Sequence, residues 1–474
     1  MDTAGIVPHV PVEGLWEMRY YAPHSVGKNV IVVGGGLAGL AASIYLARGG
    51  RTVTLFEKRR ALGGRALTNL RQGYRFNLGA HAFYRGGAGA SVYRELGIPV
   101  RGTLAKPRGI ALVDDDELRL PTNAWSMLTT SLLSARGKTQ VMSALLHVRR
   151  FGGSRAAAVT LREWLDARVS DMRARQVLES LIRLATYSDH ASTESAAAVL
   201  AQMKVALRGV IYVDEGWQKI VDSMHSAAIS SGVHFVSSSR IVGVVHDQAG
   251  VRAVELGGLE LDADRNDTQA IAFPQKPEEV EGALIPADTV LLCVDPTTAA
   301  DLSGNAGNAW RSLRPVTAAC LDVALRKLPE RQNLFALGID KPHYLSVHSA
   351  FSQIAPKGGA LIHLVKYLKE QHATNEELEG SRPRRTSVAI EDEQELESLL
   401  DRLQPGWREV LVHRRFLPSM TVSNALVTPG MQRPGVTTGV RGLYIAGDWV
   451  GDEGMLSDAS LASARAAAKA ILAQ

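Results

Sequence analysis

A run of four β-favouring apolar residues, Val30-Ile31-Val32-Val33, passes straight into Gly34-Gly35-Gly36-Leu37-Ala38-Gly39. Few features leave a chain so little freedom. Glycines at 34, 36 and 39 form G-x-G-x-x-G, and Leu40, Ile44 and Ala47 then recur at helical spacing. The pattern is strand, tight turn, helix, the opening of a doubly wound α/β domain. Gly34 permits the sharp turn, Gly36 lets a pyrophosphate approach the backbone, and Gly39 lets helix and strand pack closely. The first helical turn, with Leu37 and Ala38, offers N–H groups and a partial positive charge to phosphates.

The second half of the motif follows. Thr52-Val53-Thr54-Leu55-Phe56 reads as a strand, and Glu57 closes it, 23 positions after Gly34. That is close to the spacing of about 20 at which a carboxylate meets ribose hydroxyls. Lys58 and Arg59 come next. Dinucleotide binding is the expectation. Beyond it, Gly63-Gly64-Arg65 permits a backbone that a Cβ would obstruct and adds a planar cation suited to phosphate or flavin. Tyr74 to Leu78 reads as a strand entering the turn Gly79-Ala80-His81.

Together, these motifs resemble the flavoprotein superfamily of phytoene desaturases, carotene isomerases, protoporphyrinogen oxidase and amine oxidases. The glycine triad, Glu57, the G-G-R loop and Phe76-x-Leu78-Gly79-Ala80-His81 carry the resemblance. It implies FAD as the cofactor. A second set of residues completes it at the other end of the chain: Tyr444-Ile445-Ala446-Gly447-Asp448, then Met455, Leu456 and Ala459 at the start of a last helix, with Ser457 expected as its N-cap. The resemblance implies that Asp448 holds the ribityl–pyrophosphate linkage and that the last helix points its N-terminus at the flavin pyrimidine. It also implies adenine pairing at the backbone of Ile241, the Gly79–His81 turn beside the isoalloxazine, and Cys293, at the end of the Ala287–Val294 strand, among the cofactor-lining residues. Both cysteines, Cys293 and Cys320, lie outside the Gly-Asp segment, so the expected FAD is noncovalent.

The fold expected is α/β. A discontinuous Rossmann-like FAD-binding domain of glutathione-reductase type would comprise residues 29–100, 210–300 and 430–474. An α+β substrate domain, with a mixed sheet and a helical subdomain, would comprise 101–209 and 301–429. Residues 1–28 read as an extension. Asp262–Pro286 and His372–Thr386 read as surface insertions, and Gly250–Leu261 as a hairpin. Strands are expected at Ala318–Leu325, Ala360–Tyr367 and Glu409–Phe416, and a helix at Gln394–Leu403. Trp125, Leu128, Leu132 and Leu133 form a stripe at helical spacing.

Net charge is +5 and pI about 9.1, which is mildly basic. The basic residues are dense between Arg136 and Arg183. A solvated face is the plain reading, and peripheral contact with a membrane surface is the alternative. No nucleic-acid module is visible, and no His, Cys and carboxylate spacing suggests a metal site. No signal peptide is visible. Val30–Ala47 is uncharged throughout, but the strand–glycine–helix pattern explains it better than a membrane span. A cytoplasmic chain is expected, with membrane-surface contact left open.

The amine-oxidase branch usually carries a Lys near flavin N5. None stands in Thr317–Val323, and no aromatic occurs from Val450 to Ser457. The favoured reading is a desaturase-like oxidoreductase that moves a hydride from a hydrophobic, isoprenoid-like small molecule to flavin N5, with an apolar pocket between the two substrate-domain segments. An amine oxidase-type enzyme and a redox-neutral FAD-dependent isomerase are the alternatives. His81 is the catalytic acid–base candidate.

Overall fold

In a computed structural model the chain is described over residues 29–79, 81–105, 109–152, 158–257, 282–369 and 387–474. The expected extension, the insertion at His372–Thr386, most of Asp262–Pro286 and Ala80 lie outside these residues.

Asn29–Val33 (β1) is apolar from Val30 onward and sits at the centre of a five-stranded parallel sheet. Thr52–Phe56 (β2) flanks it on one side, with His234–Val236 (β10) beyond. Thr289–Leu292 (β14) flanks it on the other, with Leu443–Ile445 (β20) outermost. Parallel strands must be covered on both faces, which is why these segments read as continuous apolar runs. The helices Leu37–Arg48, Gln218–Ser230 and Leu456–Leu472 cover one face, burying Leu40, Ile44, Met224 and Leu461 completely. The other face packs on an antiparallel layer of Ile241–Asp247 (β11), Gly250–Leu256 (β12) and Ala283–Pro286 (β13), with the Pro296–Ser303 helix.

Two expectations change here. The hairpin is β11 with β12, closing at Asp247 and Gly250, so Gly250 starts its second arm. Ala283–Pro286 is a strand paired to β12 and not part of a surface insertion. Its alternating exposure suits an edge strand with one wet face.

The second sheet has seven strands. Its order is Leu411–Ser423 (β19), Val316–Leu325 (β15), Ala360–Tyr367 (β18), His343–Val347 (β17), Phe335–Gly338 (β16), Ile110–Val113 (β7) and Asp116–Arg119 (β8). Pairings are antiparallel except β16 with β7, where the two stretches of chain that build this sheet meet. One face is covered by the Ser387–Leu403 helix. That helix starts seven residues earlier than expected, because Ala389, Asp392 and Glu393 are also buried against the sheet. β19 runs on to Ser423 past Pro418, which is tolerated because β19 is the sheet edge.

The other face packs on helices Ala135–Arg150, Leu161–Asp166, Met172–Thr186 and Ala196–Ala206. The expected stripe from Trp125 to Leu133 is broken. A capping box of Asn123 and Ser126 starts a short helix that ends at Thr129, and Thr130 is extended. Leu132 and Leu133 are therefore buried while Trp125 and Leu128 face solvent.

Candidate dinucleotide and flavin site

The Gly-rich turn lies at the carboxyl ends of β1 and β2, where ligands of open α/β sheets bind. Two of its glycines are forced by close approach. An ideal Cβ on Gly39 would lie 1.9 Å from the Gly34 carbonyl oxygen, and one on Gly34, at φ +106°, 2.6 Å from the Cys293 carbonyl oxygen. Gly36 differs: its Cβ would meet nothing within 4 Å. It occupies the N-cap of the Leu37–Arg48 helix with no side-chain acceptor, so the first turn, with Leu37 and Ala38, faces open space with its N–H groups.

Glu57 folds back onto this turn. One carboxylate oxygen accepts from the Gly35 N–H at 2.7 Å and the other from the Arg59 N–H at 2.9 Å. The side chain is nearly buried, and each oxygen keeps lone-pair capacity for a ribose hydroxyl. Lys58 is exposed beside it. Ile241 shares a core with Val33 and Phe56, which places the head of β11 at the same strand ends. Cys293 donates its N–H to the Val33 carbonyl oxygen, and burial pushes its thiol up.

The G-G-R loop docks against the turn: Gly63 N–H donates to the Gly35 carbonyl oxygen at 2.8 Å, and a Cβ on Gly64 would lie 3.6 Å from Gly36 Cα. Arg65 then reaches across 383 positions of sequence to Asp448, donating to both carboxylate oxygens at 2.7 and 3.0 Å. Asn424 donates its backbone N–H and its amide to the same carboxylate, each at 2.9 Å. Burial pushes the Asp448 carboxyl up, but Arg65 and Asn424 outweigh it and hold it below the usual range. Gly447, just before it, is bonded by Ser463 at both its N–H and its carbonyl.

The last helix enters at Met455, with Leu456 in the left-handed region at φ +56° and Ala459 fully buried. Ser457 is not the N-cap. The helix begins one residue before it, and Met455 occupies the cap with no side-chain acceptor. Asp458 turns away to accept the Gly89 N–H at 2.8 Å, and burial pushes it up to about 6.

His81 stands between two backbone carbonyls. Its ring nitrogens lie 3.0 Å from the Gly79 and Arg65 carbonyl oxygens, and burial holds its pKa down. The neutral ring has one N–H and so donates to one of these two carbonyl oxygens, standing between the Gly79 turn and the G-G-R loop. Gly79, at φ +86°, abuts β19: its Cβ would lie 1.9 Å from Met420 Sδ.

Sequence spacing missed a buried polar row on the sheet face beside this turn. Asp322 and His363 are register partners on β15 and β18, and Nδ1 of His363 lies 2.5 Å from the Asp322 carboxylate. Arg415 donates to Asp322 and to the Asn77 carbonyl oxygen, while Cys320 donates to Asp322 at 3.2 Å. Burial pushes Asp322 up, but His363 and Arg415 outweigh it and keep its carboxyl low. Cys320, Asp322 and His363 could converge on a metal ion. The Arg415 guanidinium already pairs with that carboxylate, while the buried Nε2 of His363 has no hydrogen-bond partner among the described residues. These residues stand 41 and 93 positions apart, in no motif, and only strand register would have found them.

A cavity of about 300 Å³ in the helical layer is lined by Arg162, Glu179, Arg183, Asp189 and Lys369. It is charged, and so is not the apolar pocket expected from the sequence. Among the described residues no helix is long and apolar enough to cross a membrane.

Each half of this arrangement has counterparts among known proteins. Residues 32–96 match the family model of the NAD(P)-binding Rossmann-like domain. Over 53 residues the chain is 51% identical to the carotenoid 3,4-desaturase of Haloarcula japonica, a match spanning 11% of this chain and 11% of that relative. In structure, an oxidoreductase from Methanosarcina mazei aligns with a TM-score of 0.69 at 17% identity, covering 94% of this chain and 100% of the other. The cyclohexylamine oxidase of Brevibacterium oxydans aligns with a TM-score of 0.64 at 13% identity, covering 94% and 99%. The chain has the α/β fold of the amine oxidase-like flavoproteins and carries a dinucleotide-binding segment similar to that of a carotenoid desaturase.

The carboxylate of Glu57 can be tested apart from the fold. Glu57→Gln keeps an acceptor for Gly35 but removes the charge. FAD affinity is expected to fall by about 10- to 100-fold, since a hydrogen bond to a charged group contributes about 1.5–3 kcal/mol. The thermal midpoint should hardly move. Fluorescence titration of the apoprotein with FAD checks this; equal affinities would make Glu57 a turn-holding residue only.

Proposed function

We propose that this chain is an FAD-dependent oxidoreductase of desaturase type, removing a hydride from a hydrophobic, isoprenoid-like substrate. The observation that carries the cofactor is the meeting of the Gly-rich turn, the G-G-R loop and the Gly-Asp strand at one place, joined by Arg65 and Asp448. A cradle that would fill if Gly36 had a Cβ fits a pyrophosphate, and Glu57 beside the glycine turn keeps acceptor capacity for a ribose hydroxyl. FAD, when bound, supplies the two-electron acceptor chemistry. In this reading Glu57 holds the adenosine ribose, the Leu37–Arg48 helix takes the pyrophosphate, and Asp448 orients the ribityl side. The uncapped entry of the Leu456–Leu472 helix favours negative charge on the ring.

The preference for an apolar substrate rests on the groups that face the site. On β15 the residues sharing the face of Asp322 are Ala318, Cys320 and Ala324, with no lysine among them. Trp449 points into the core, donating to the Val294 carbonyl oxygen and packing on Trp310, so it forms no wall of an amine cage. His81 stands between the carbonyls of Gly79 and Arg65, and Arg415 holds Asp322.

Protein reconstituted with FAD and mixed anaerobically with phytoene in detergent micelles should lose its visible flavin band, while cyclohexylamine leaves it intact. Bleaching by the amine and not by phytoene would reverse the assignment. Conversion of phytoene only after prior flavin reduction, with no further spectral change, would favour the redox-neutral reaction instead.

A further inference from the structure

The helical layer carries a surface that the redox reading does not use. From Leu118 to Arg162 the sequence contains no Asp or Glu, yet it contains Arg119, Arg136, Lys138, Arg149, Arg150, Arg155 and Arg162. Much of this stretch is the short helix Ala124–Thr129 and the long helix Ala135–Arg150. The two adjoin: Lys138 Nζ donates to the Leu128 carbonyl oxygen at 2.7 Å.

Large apolar side chains stand out from these helices. Trp125 is 74% exposed and Leu128 67%, three positions apart and so on one side of the short helix. Met142 and Leu146 are 41% and 46% exposed, four apart on the outer side of the long helix, whose inner side buries Val141, Ala144 and Val148. Lys138 precedes Met142 by one helical turn and Arg149 follows Leu146 by one, so cations bracket the apolar strip at both ends. Met172, 67% exposed, begins the Met172–Thr186 helix, whose cap Asp171 accepts from Ser134 at the start of the long helix. Asp171, half-buried, accepts from Ser134 and from the Ala174 N–H, and Arg136 is close enough to help hold its carboxyl low. Among the described residues, no carboxylate pairs with Arg136, Lys138, Arg149 or Arg150. The arginines deeper in the layer behave otherwise: Arg162 pairs with Glu179, Arg175 with Asp166 and Arg183 with Asp189.

Evenly scattered exposed apolar residues need no explanation, but a strip of them on adjoining helices does. The flanking charge decides what covers it. A second copy of this chain would bring Lys138, Arg149 and Arg150 against the same cations, whereas an anionic bilayer offers apolar depth for Trp125, Leu128, Met142 and Leu146 and phosphate for the lysine and arginines. We propose that this face docks on the surface of an anionic lipid bilayer, with the Ala124–Thr129 helix inserted to the headgroup level and the Ala135–Arg150 helix lying along it. Trp125 is suited to that depth, since its ring is amphipathic. The inference is independent of the redox reading and survives or fails separately from it.

The full chain should float in a density gradient with vesicles of phosphatidylcholine and phosphatidylglycerol, and at least about tenfold less with phosphatidylcholine alone. High salt should weaken the binding. Trp125→Ser combined with Leu128→Ser should cut partitioning by about tenfold or more through lost apolar burial, without moving the thermal midpoint. If that pair lowers the midpoint, Met142→Glu on the neighbouring helix provides the same test. Arg149→Gln with Arg150→Gln should flatten the salt dependence. Flotation of the apolar variants at the wild-type level overturns the proposal, as does failure of the wild type to float with anionic vesicles. Retention on heparin without vesicle binding would identify a soluble polyanionic partner instead. A concentration-dependent dimer that the apolar variants abolish, again without vesicle binding, would assign the face to a second copy.

Discussion

Gly39→Ala is expected to abolish dinucleotide binding. The new methyl carbon would sit 1.9 Å from the Gly34 carbonyl oxygen and 3.1 Å from the Gly34 carbonyl carbon. Both obstacles are backbone, so no side-chain rotation relieves them. Relief requires the Leu37–Arg48 helix to move off β1, or the Gly34 turn to rotate from a φ of +106° that the Cys293 carbonyl also constrains. Overpacking of this kind costs about 1–3 kcal/mol or more, and it displaces the N–H groups that meet the pyrophosphate. An FAD dissociation constant raised by at least about 100-fold, equivalent to about 2.7 kcal/mol, is the expected outcome, with a lowered thermal midpoint. Gly36→Ala is the informative companion. Its methyl enters open space, so the midpoint should be unchanged while affinity falls. If both variants bind FAD as the wild type does, the turn is not the cofactor cradle.

Asp448→Ala should cause the larger loss of stability. Asp448 is 1% exposed and receives four hydrogen bonds, two from Arg65 and two from Asn424. Removing it strands a buried backbone N–H and one side of a guanidinium. Breaking a buried charged pair from one side costs about 3–5 kcal/mol. Arg65→Ala should cost at least as much, because it leaves Asp448, 1% exposed, without its cation, whereas the guanidinium left by Asp448→Ala is 45% exposed and can turn to water. The pH dependence adds a second readout. The Asp448 carboxyl is held below its unfolded value, so its stabilisation is full above the ordinary carboxylate range and is lost as pH falls through the folded pKa. The gap between wild type and variant in urea midpoint should therefore be constant near neutrality and close in acid. A gap that stays constant into acid would mean that the carboxylate is not charged in the folded protein.

Much of the five-stranded sheet is legible because its strands are buried on both faces and written as apolar runs with a glycine at the turn. Those signals are local, and each motif residue sits where a backbone or phosphate must come close. The polar row of Arg415, Asp322 and His363 is legible nowhere, since each residue lies in a different strand and the partners are set by register. Asn424 is similar: it bonds Asp448 from the end of β19, in no motif. The stripe from Trp125 to Leu133 misleads for the opposite reason. Its spacing is helical, but Thr130 breaks the helix, so half of the stripe enters the core and half leaves it. His81 reads as a candidate acid because histidine beside a flavin suggests chemistry, whereas its environment is two carbonyl oxygens.

The bond between Arg65 and Asp448 has a consequence for synthesis. The glycine turn, Glu57 and the G-G-R loop leave the ribosome early, but the carboxylate that closes the site lies 383 residues later. Chains emerge at about 5–20 residues per second, so the nascent protein spends tens of seconds with half a cradle. For the first part of that time β1 lacks its neighbour β14, and for the rest β14 lacks β20. The cradle between Arg65 and Asp448 is thus complete only once Asp448 has been made. Chains that stop before Asp448 would keep the glycine turn and Glu57 but lack the carboxylate that ties Arg65 in place.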